Sequence, residues 1–62
     1  MPPGREVLFE FKRIGNTVKV TAIDTVSMVE VSIIGPATAS QAHLKMTALR
    51  KLEYMLAKKA GG

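Results

Sequence analysis

The sequence lacks cysteine and tryptophan, and its aromatic residues are two phenylalanines and one tyrosine. A chain without thiols forms no disulfide bonds, which often support domains of this size. One histidine and no cysteine also make a structural zinc site unexpected, and we predict neither a metal nor a cofactor. Support for the fold must then come from tight packing or self-association, and the absence of cysteine fits a reducing compartment.

Long apolar runs are also absent, because no stretch of about 18 consecutive apolar residues occurs, and this excludes a transmembrane helix. The N-terminal residues lead directly into a strand-like pattern and lack the charged-then-apolar layout of a secretory signal. We therefore expect a soluble cytoplasmic protein that makes no contact with a membrane. The length of 62 residues predicts a single domain, 1–62, with disordered tails at residues 1–4 and 61–62.

Acidic residues are scarce in the C-terminal part of the chain. The net charge is +4, although residues 1–36 sum to zero because four basic side chains balance four acidic ones. In residues 37–62, five basic side chains face a single acid, Glu53. The basic excess therefore belongs to the segment that the sequence predicts to be helical.

Alternating apolar residues predict a β-hairpin at the start of the chain. Residues 6–14 and residues 17–24 both alternate between apolar and other side chains. The intervening Gly15-Asn16 has the glycine-first pattern of a two-residue type II′ turn. In the register that this turn sets, the apolar side chains of both strands share one face. They are Val7, Phe9, Phe11, Val18, Val20 and Ala22.

A turn at residues 25–28 and a third strand at residues 29–34 are predicted to follow the hairpin. Gly35-Pro36 is expected to end this strand, because proline cannot donate to a ladder. Asp24, beside the turn, is interpreted as a solvated loop acid. The inner side chains of the third strand are Val29, Val31 and Ile33.

The composition of residues 41–59 favours a helix, with Ser40 as N-cap candidate and Thr38 with Gln41 as an alternative capping box. Lys45 falls beside the apolar stripe, and its amine is expected to lie past the sheet edge or to reach solvent. The stripe that would pack on the sheet consists of Leu44, Ala48, Leu52 and Met55. The predicted fold class is therefore α+β: a three-stranded antiparallel meander, in the order β-β-β-α, with one C-terminal helix packed on one sheet face.

The sheet face opposite the helix is predicted to be unusually apolar, since polar side chains normally dominate a solvent-facing sheet. One interpretation is scattered surface hydrophobes, which are common. The other is an interface with a second copy or with an unidentified protein partner. We favour the interface, because a small core gains from further burial. The predicted interaction residues on this face are Leu8, Ile14, Ile23, Met28 and Ile34.

Both outer strands of the meander have free edges. Strand one carries the guarding charges Glu10, Lys12 and Arg13, whereas strand three carries a single charge, Glu30. An isologous homodimer through strand three, with a six-stranded sheet, is therefore the preferred oligomer. The alternative is that Pro36 and the crossover at residues 35–39 cover this edge.

The helix also carries a basic surface away from its apolar stripe. Such a surface can follow a phosphate backbone, with tyrosine as a stacking group, or it can be an ordinary solvated helix face. The strand-strand-strand-helix order resembles the C-terminal part of a double-stranded-RNA-binding domain, but the preceding helix and the lysine-dense start of the last helix are missing here. Nucleic-acid binding is therefore the second hypothesis. The residues that would contact nucleic acid are Arg50, Lys51, Tyr54 and Lys58.

The sequence contains no recognisable catalytic group. His43 has no nucleophile or orienting partner in the pattern, and Asp24 with Glu30 is better interpreted as a loop acid and an edge charge than as an acid/base pair. The final Gly61-Gly62 resembles the end of ubiquitin-like carriers, but a lysine-rich helix precedes it instead of a strand and a flexible tail. We therefore predict a non-enzymatic protein without catalytic residues.

Three segments of the chain are similar to a known protein family. They are residues 5–20 (REVLFEFKRIGNTVKV), 33–37 (IIGPA) and 49–54 (LRKLEY). Together they resemble a family of short, uncharacterised alphaproteobacterial proteins, over most of the chain. The resemblance implies a bacterial cytoplasmic origin. It carries over no catalytic residues, because that family has no established function.

Overall fold

The computed structural model describes residues 6–60. They form one antiparallel sheet in the order β1-β2-β3, followed by one helix, which confirms the predicted α+β meander. The tails predicted to be disordered, and with them Gly61-Gly62, lie outside the described residues. The elements are β1 (Val7–Ile14), β2 (Thr17–Asp24), β3 (Glu30–Pro36) and α1 (Gln41–Ala60).

The first hairpin folds as its turn residues predict. Gly15 has a φ of 60°, in the left-handed region that the first position of a type II′ turn requires, and Asn16 does not have a positive φ. The Thr17 hydroxyl donates to the Ile14 carbonyl at 2.8 Å across the turn. The resulting register is the predicted one, with the pairs Phe9–Ala22 and Phe11–Val20.

The turn between β2 and β3 is built around a buried acid. Asp24 is fully buried, so its interpretation as a solvated loop acid is wrong. Its Oδ2 accepts hydrogen bonds from the Ser27 backbone N–H at 3.0 Å and from the Ser27 hydroxyl at 2.5 Å. The Met28 N–H donates to the Asp24 carbonyl at 2.7 Å. The carboxylate therefore organises the turn from inside the fold.

β3 continues to Pro36, past the predicted end of the strand at residue 34. The Ala37 N–H donates to the Asn16 carbonyl at 2.8 Å, so position 37 bonds towards β2 and position 36 does not. Pro36 lies opposite Thr17 at a position where an N–H would point away from β2. The missing donor of proline therefore removes no ladder bond, and the strand includes Pro36 as its last residue.

α1 begins at the predicted N-cap. The Ser40 hydroxyl accepts the His43 backbone N–H at 3.1 Å, so the alternative cap at Thr38 is not used. Lys58 and Lys59 lie in the last turn, where basic side chains interact favourably with the helix dipole. Within residues 6–60, no helix combines the length and the apolar character that crossing a bilayer requires.

The core lies between α1 and the strands β2 and β3, with which the helix makes its main contacts. Gly35 allows the close approach of the helix, because a Cβ at this position would overlap the side chain of Leu44. Phe9 and Phe11, on β1, pack against the core and are partly buried. The buried apolar side chains are Val20, Ala22, Val31, Leu44, Ala48 and Leu52.

Met55, predicted to belong to the core stripe, is exposed. Leu44 lies over Gly35, near the end of β3. Lys51, later in the helix, reaches Ser32, nearer the start of that strand, so α1 runs antiparallel to β3. Leu56, one residue further along, is partly buried against the core. The packed side of α1 therefore follows the four-residue spacing of Leu44, Ala48 and Leu52 to Leu56, and Met55 lies beside it in solvent.

Candidate interaction surfaces

The sheet face opposite α1 carries four of the five predicted interaction residues and is covered by no other described element. Leu8, Ile14 and Ile34 are 51%, 52% and 69% exposed, respectively. Ile23 is partly buried, because it lies on the central strand β2 between two neighbouring strands. This face, called the open face below, therefore presents three large apolar side chains to solvent.

The strand register divides the apolar side chains of the open face into two groups. Leu8 lies directly opposite Ile23 at one end of the sheet. A polar row follows, in which the hydroxyls of Thr21 and Ser32 hydrogen-bond at 3.1 Å. The next rows carry Lys12, Lys19 and the second apolar group, Ile14 and Ile34. The open face is therefore apolar towards both ends and polar in between.

Met28, the fifth predicted residue, lies in the turn between β2 and β3 and not on a strand. It is 71% exposed, with a φ of 63° that is uncommon for a residue other than glycine. The turn follows Asp24, so Met28 lies at the end of the sheet that carries Leu8 and Ile23. It extends the apolar surface at that end of the molecule.

The free edge of β3 is partly occupied by the helix. The Lys51 amine donates to the Ser32 carbonyl at 2.9 Å, on the side of β3 that faces away from β2. Pro36, on the same edge, has no N–H to offer a further strand. The edge of β3, which carries fewer charges than the edge of β1, therefore has one carbonyl group already bound and lacks one N–H group.

Arg50, Tyr54 and Lys58 form an exposed ridge along α1. They are spaced at intervals of four residues and therefore lie on the same side of the helix, with Tyr54 64% exposed. Lys51, the fourth predicted nucleic-acid contact, is also exposed, but its amine is held by the Ser32 carbonyl. The structure thus brings three of the four residues together and gives the fourth a contact with the sheet.

A groove of about 290 Å³ opens between the first hairpin and the start of α1. Its polar side chains are Arg13 and Gln41, and the Arg13 Nε donates to the Gly15 carbonyl at 2.9 Å. In the part of the chain that the structure describes, no three His, Cys, Asp or Glu side chains are grouped to hold a metal. The other residues of the groove are Phe11, Val18, Ala37, Ala39 and Leu44.

Sequence reasoning missed the two polar contacts that shape these surfaces. The bond between Asp24 and Ser27 has a local signal, since an Asp side chain often accepts N–H groups a few residues further along a turn. The bond between Lys51 and Ser32 joins residues 19 positions apart, and no local pattern predicts it.

Comparison of the chain with curated proteins and with solved structures gives no match in either set. A family model described as a domain of unknown function (DUF6898) matches residues 4–59. This match spans most of the chain and agrees with the resemblance to an uncharacterised family, whereas the alphaproteobacterial origin stays a prediction. The protein therefore belongs to the family of the domain of unknown function DUF6898.

Proposed function

We propose that the protein is a non-enzymatic interaction module that self-associates through the open face of its sheet. The observation that carries this proposal is the exposure of Leu8, Ile14 and Ile34 on a face that no other described element covers. The sheet face of a monomer is normally more polar than this. A small domain with a thin core also gains more from additional burial than a large one does.

The charges of the open face favour a second copy as its occupant. Within the three strands, the charged side chains of this face are two acids and two bases, so their formal charges sum to zero, and they are Glu10, Glu30, Lys12 and Lys19. Two such faces can place acids over bases in an isologous contact. Each large apolar side chain that becomes buried contributes roughly 1.5–3 kcal/mol, and association costs offset much of this. We therefore expect dissociation constants on the order of 1–100 μM.

The edge of β3 is the less favourable of the two surfaces considered from the sequence. A strand added there would have to displace the Lys51 amine from the Ser32 carbonyl. It would also meet Pro36, which donates no hydrogen bond. The open face needs no such rearrangement, and for this reason we place the contact there.

Sedimentation velocity of the wild-type chain and of two matched variants tests this proposal. We expect the wild type to sediment above the 6.7 kDa monomer at micromolar concentration. Ile34→Lys places a charge on the open face and is expected to weaken association about tenfold. Met46→Lys makes the same change at an exposed position on α1 and is the control, with no expected effect.

A wild-type chain that remains monomeric up to about 1 mM would exclude self-association as the function. Equal effects of Ile34→Lys and Met46→Lys would show that the contact does not involve the open face. Circular dichroism of both variants establishes that they retain the fold.

A second candidate function is nucleic-acid binding through the ridge of Arg50, Tyr54 and Lys58. The observation that favours it is the regular exposure of two cations and one aromatic ring on a helix face turned away from the sheet. Cations in such an arrangement follow a phosphate backbone, and tyrosine can stack on a base. Lys51 is less suited to this role than the sequence predicts, because its amine already binds the Ser32 carbonyl.

Fluorescence anisotropy with a labelled RNA or DNA oligonucleotide tests this alternative. We expect affinity that falls steeply with added salt and that is lost in Arg50→Glu/Lys58→Glu. Lys12→Glu/Lys19→Glu makes the same charge change on the open face and is the matched control. Binding that is absent, or that both double variants reduce equally, would exclude a specific role of the helix ridge.

We also propose that the protein is located in the cytoplasm of an alphaproteobacterium. A further part of the proposal is that the open face can bind an unidentified protein partner as well as a second copy. The lack of cysteine is compatible with that compartment. Fractionation of host cells, with detection of the native chain by antibody, tests the location. Recovery of the chain in the periplasmic or membrane fraction would contradict it.

A further inference from the structure

β1 forms a free edge of the sheet, because it has a neighbouring strand on one side only in the described part of the chain. The Thr25 N–H donates to the Glu6 carbonyl at 3.1 Å, so position 6 bonds towards β2. Hydrogen-bonding directions alternate along an antiparallel strand, so the even positions of β1 also bond towards β2. The residues whose backbone N–H and C=O groups point outwards are Val7, Phe9, Phe11 and Arg13.

This edge is better suited to pairing than the edge of β3. β1 has eight residues and contains no proline, and so each outward position has both a donor and an acceptor. On β3 the Lys51 amine already binds the Ser32 carbonyl, and Pro36 lacks an N–H. A further strand therefore finds more available backbone groups on β1.

The side chains of β1 are arranged symmetrically about Phe11. Glu10 and Lys12, one residue away on either side, carry opposite charges. Leu8 and Ile14, three residues away on either side, are both apolar. All four alternate onto the open face. If a second β1 strand pairs antiparallel to the first with Phe11 opposite Phe11, then Glu10 faces Lys12 of the second strand. In the same register, Leu8 faces its Ile14.

We propose that β1 pairs with β1 of a second copy in an isologous antiparallel dimer whose twofold axis passes through Phe11. The two sheets then join into one sheet of six strands. This contact goes beyond the proposed open-face association, because backbone groups of the edge make it and the open face stays accessible. Charges on an edge strand usually prevent pairing, but here they select one partner and one register.

Neighbouring registers are electrostatically unfavourable. A twofold axis through Glu10 would place the Glu10 side chains of the two copies directly opposite each other. An axis through Lys12 would do the same with the two Lys12 side chains. These even positions form non-hydrogen-bonded pairs across the edge, with Cα atoms about 4.5 Å apart, where like charges destabilise a sheet. Of the three registers, the centre at Phe11 places Glu10 of each copy opposite Lys12 of the other.

The helix side of the sheet also has room for the second copy. α1 makes its main contacts with β2 and β3, and Phe9 and Phe11 on β1 are partly buried beside it. With strands about 4.8 Å apart, the helices of the two copies lie about 19 Å apart. A helix diameter of about 10 Å leaves a gap of about 9 Å between them. The rings of Phe9 and Phe11 from both copies occupy this gap, and Phe9 of one copy lies opposite Arg13 of the other.

Charge reversal tests the pairing. Glu10→Lys and Lys12→Glu each turn two attractive contacts into repulsive ones, so each variant alone is expected to dimerise about tenfold more weakly in sedimentation experiments. An equimolar mixture of the two variants brings opposite charges together again in the heterodimer. We expect this mixture, and the double variant Glu10→Lys/Lys12→Glu, to associate as the wild type does.

Amide hydrogen exchange of the wild-type chain separates this edge from the open face. Pairing at β1 protects the amides of Phe9, Phe11 and Arg13, and this protection rises with protein concentration, whereas open-face packing leaves them in water. Ile34→Lys changes the open face away from β1 and is the matched control. We expect a dimer that keeps the protected amides in this variant.

Association restored in the mixture, together with concentration-dependent protection of the β1 amides, supports the edge dimer. Association that Ile34→Lys abolishes, while the β1 amides exchange rapidly at every protein concentration, overturns the edge dimer and leaves the open-face proposal standing. A wild-type chain that is monomeric up to about 1 mM overturns both.

Discussion

Two lysines of α1 contact the sheet, although both are exposed. The Lys51 amine donates to the Ser32 carbonyl on β3, and the Lys45 amine lies 4.9 Å from the centroid of the Phe9 ring on β1. An exposed cation over an aromatic ring contributes about 0.5–1 kcal/mol. The two lysines therefore connect the helix to both outer strands. Lys45 lies beside the apolar stripe of the helix, and this position lets its side chain contact Phe9 while it remains exposed.

Gly35 is a position at which the addition of one methyl group is expected to destabilise the fold. A methyl group at this position overlaps the buried side chain of Leu44, so Gly35→Ala forces the helix or the leucine to move. Overpacking of this kind costs about 1–3 kcal/mol. We expect a correspondingly lower midpoint in urea unfolding, monitored by circular dichroism at constant protein concentration.

The double variant Gly35→Ala/Leu44→Ala is the control for this prediction. Shortening the leucine removes the overlap, so the double variant should lose less stability than the sum of the two single variants. Strict additivity, or a Gly35→Ala variant as stable as the wild type, would show that the contact does not limit the approach of the helix.

The two turns of the sheet illustrate how far local sequence determines an element. The first turn is predictable from Gly15-Asn16, because a type II′ turn needs a positive φ where glycine is favoured. The second turn depends on the buried Asp24 carboxylate, and the burial of this residue results from packing and not from its local pattern. For this reason the sequence placed the second turn correctly but assigned its acid to solvent.

Asp24→Ala is expected to destabilise the second turn. The variant removes the acceptor of two hydrogen bonds from Ser27, inside the fold. Loss of a buried hydrogen-bonding group costs about 1–3 kcal/mol, and chemical denaturation measures this loss. Glu30→Ala removes a carboxylate from an exposed position and should change stability by less than about 0.5 kcal/mol. Equal effects of both variants would contradict the structural role of Asp24.

At the scale of the whole molecule, the protein has one layer of sheet, one helix and a thin core between them. The described chain has a radius of gyration of 12.1 Å and extents of 37 × 22 × 16 Å, so it is markedly elongated. A domain of this length typically has an unfolding free energy of about 3–9 kcal/mol. Because association would add to this value, the stability of the chain should depend on its concentration.

Leu52→Ala tests how much of the stability depends on one core side chain. Leu52 is fully buried, and truncation of such a leucine costs about 2–5 kcal/mol. We therefore expect the free energy of unfolding to fall by about 2–5 kcal/mol, measured by urea denaturation with the far-ultraviolet helix signal.

Thr47→Ala is the matched control on the exposed side of the same helix. The Thr47 hydroxyl donates to the His43 carbonyl at 3.0 Å, a bond within the helix that adds little stability. We expect its stability to stay within about 0.5 kcal/mol of the wild type. A folded Leu52→Ala variant with the stability of Thr47→Ala would contradict the proposed core.

The sequence by itself determined the elements, their order and the strand register, because alternation and turn residues act between residues close in the chain. Only the tertiary structure decided that the helix lies over β2 and β3, that Lys51 binds the edge of β3, and that Met55 is exposed. These features depend on distances between residues far apart in the chain. The symmetric arrangement of side chains about Phe11 is visible in the sequence. It suggests pairing of two β1 strands only together with the structure, which shows that the backbone groups of Phe11 point away from β2.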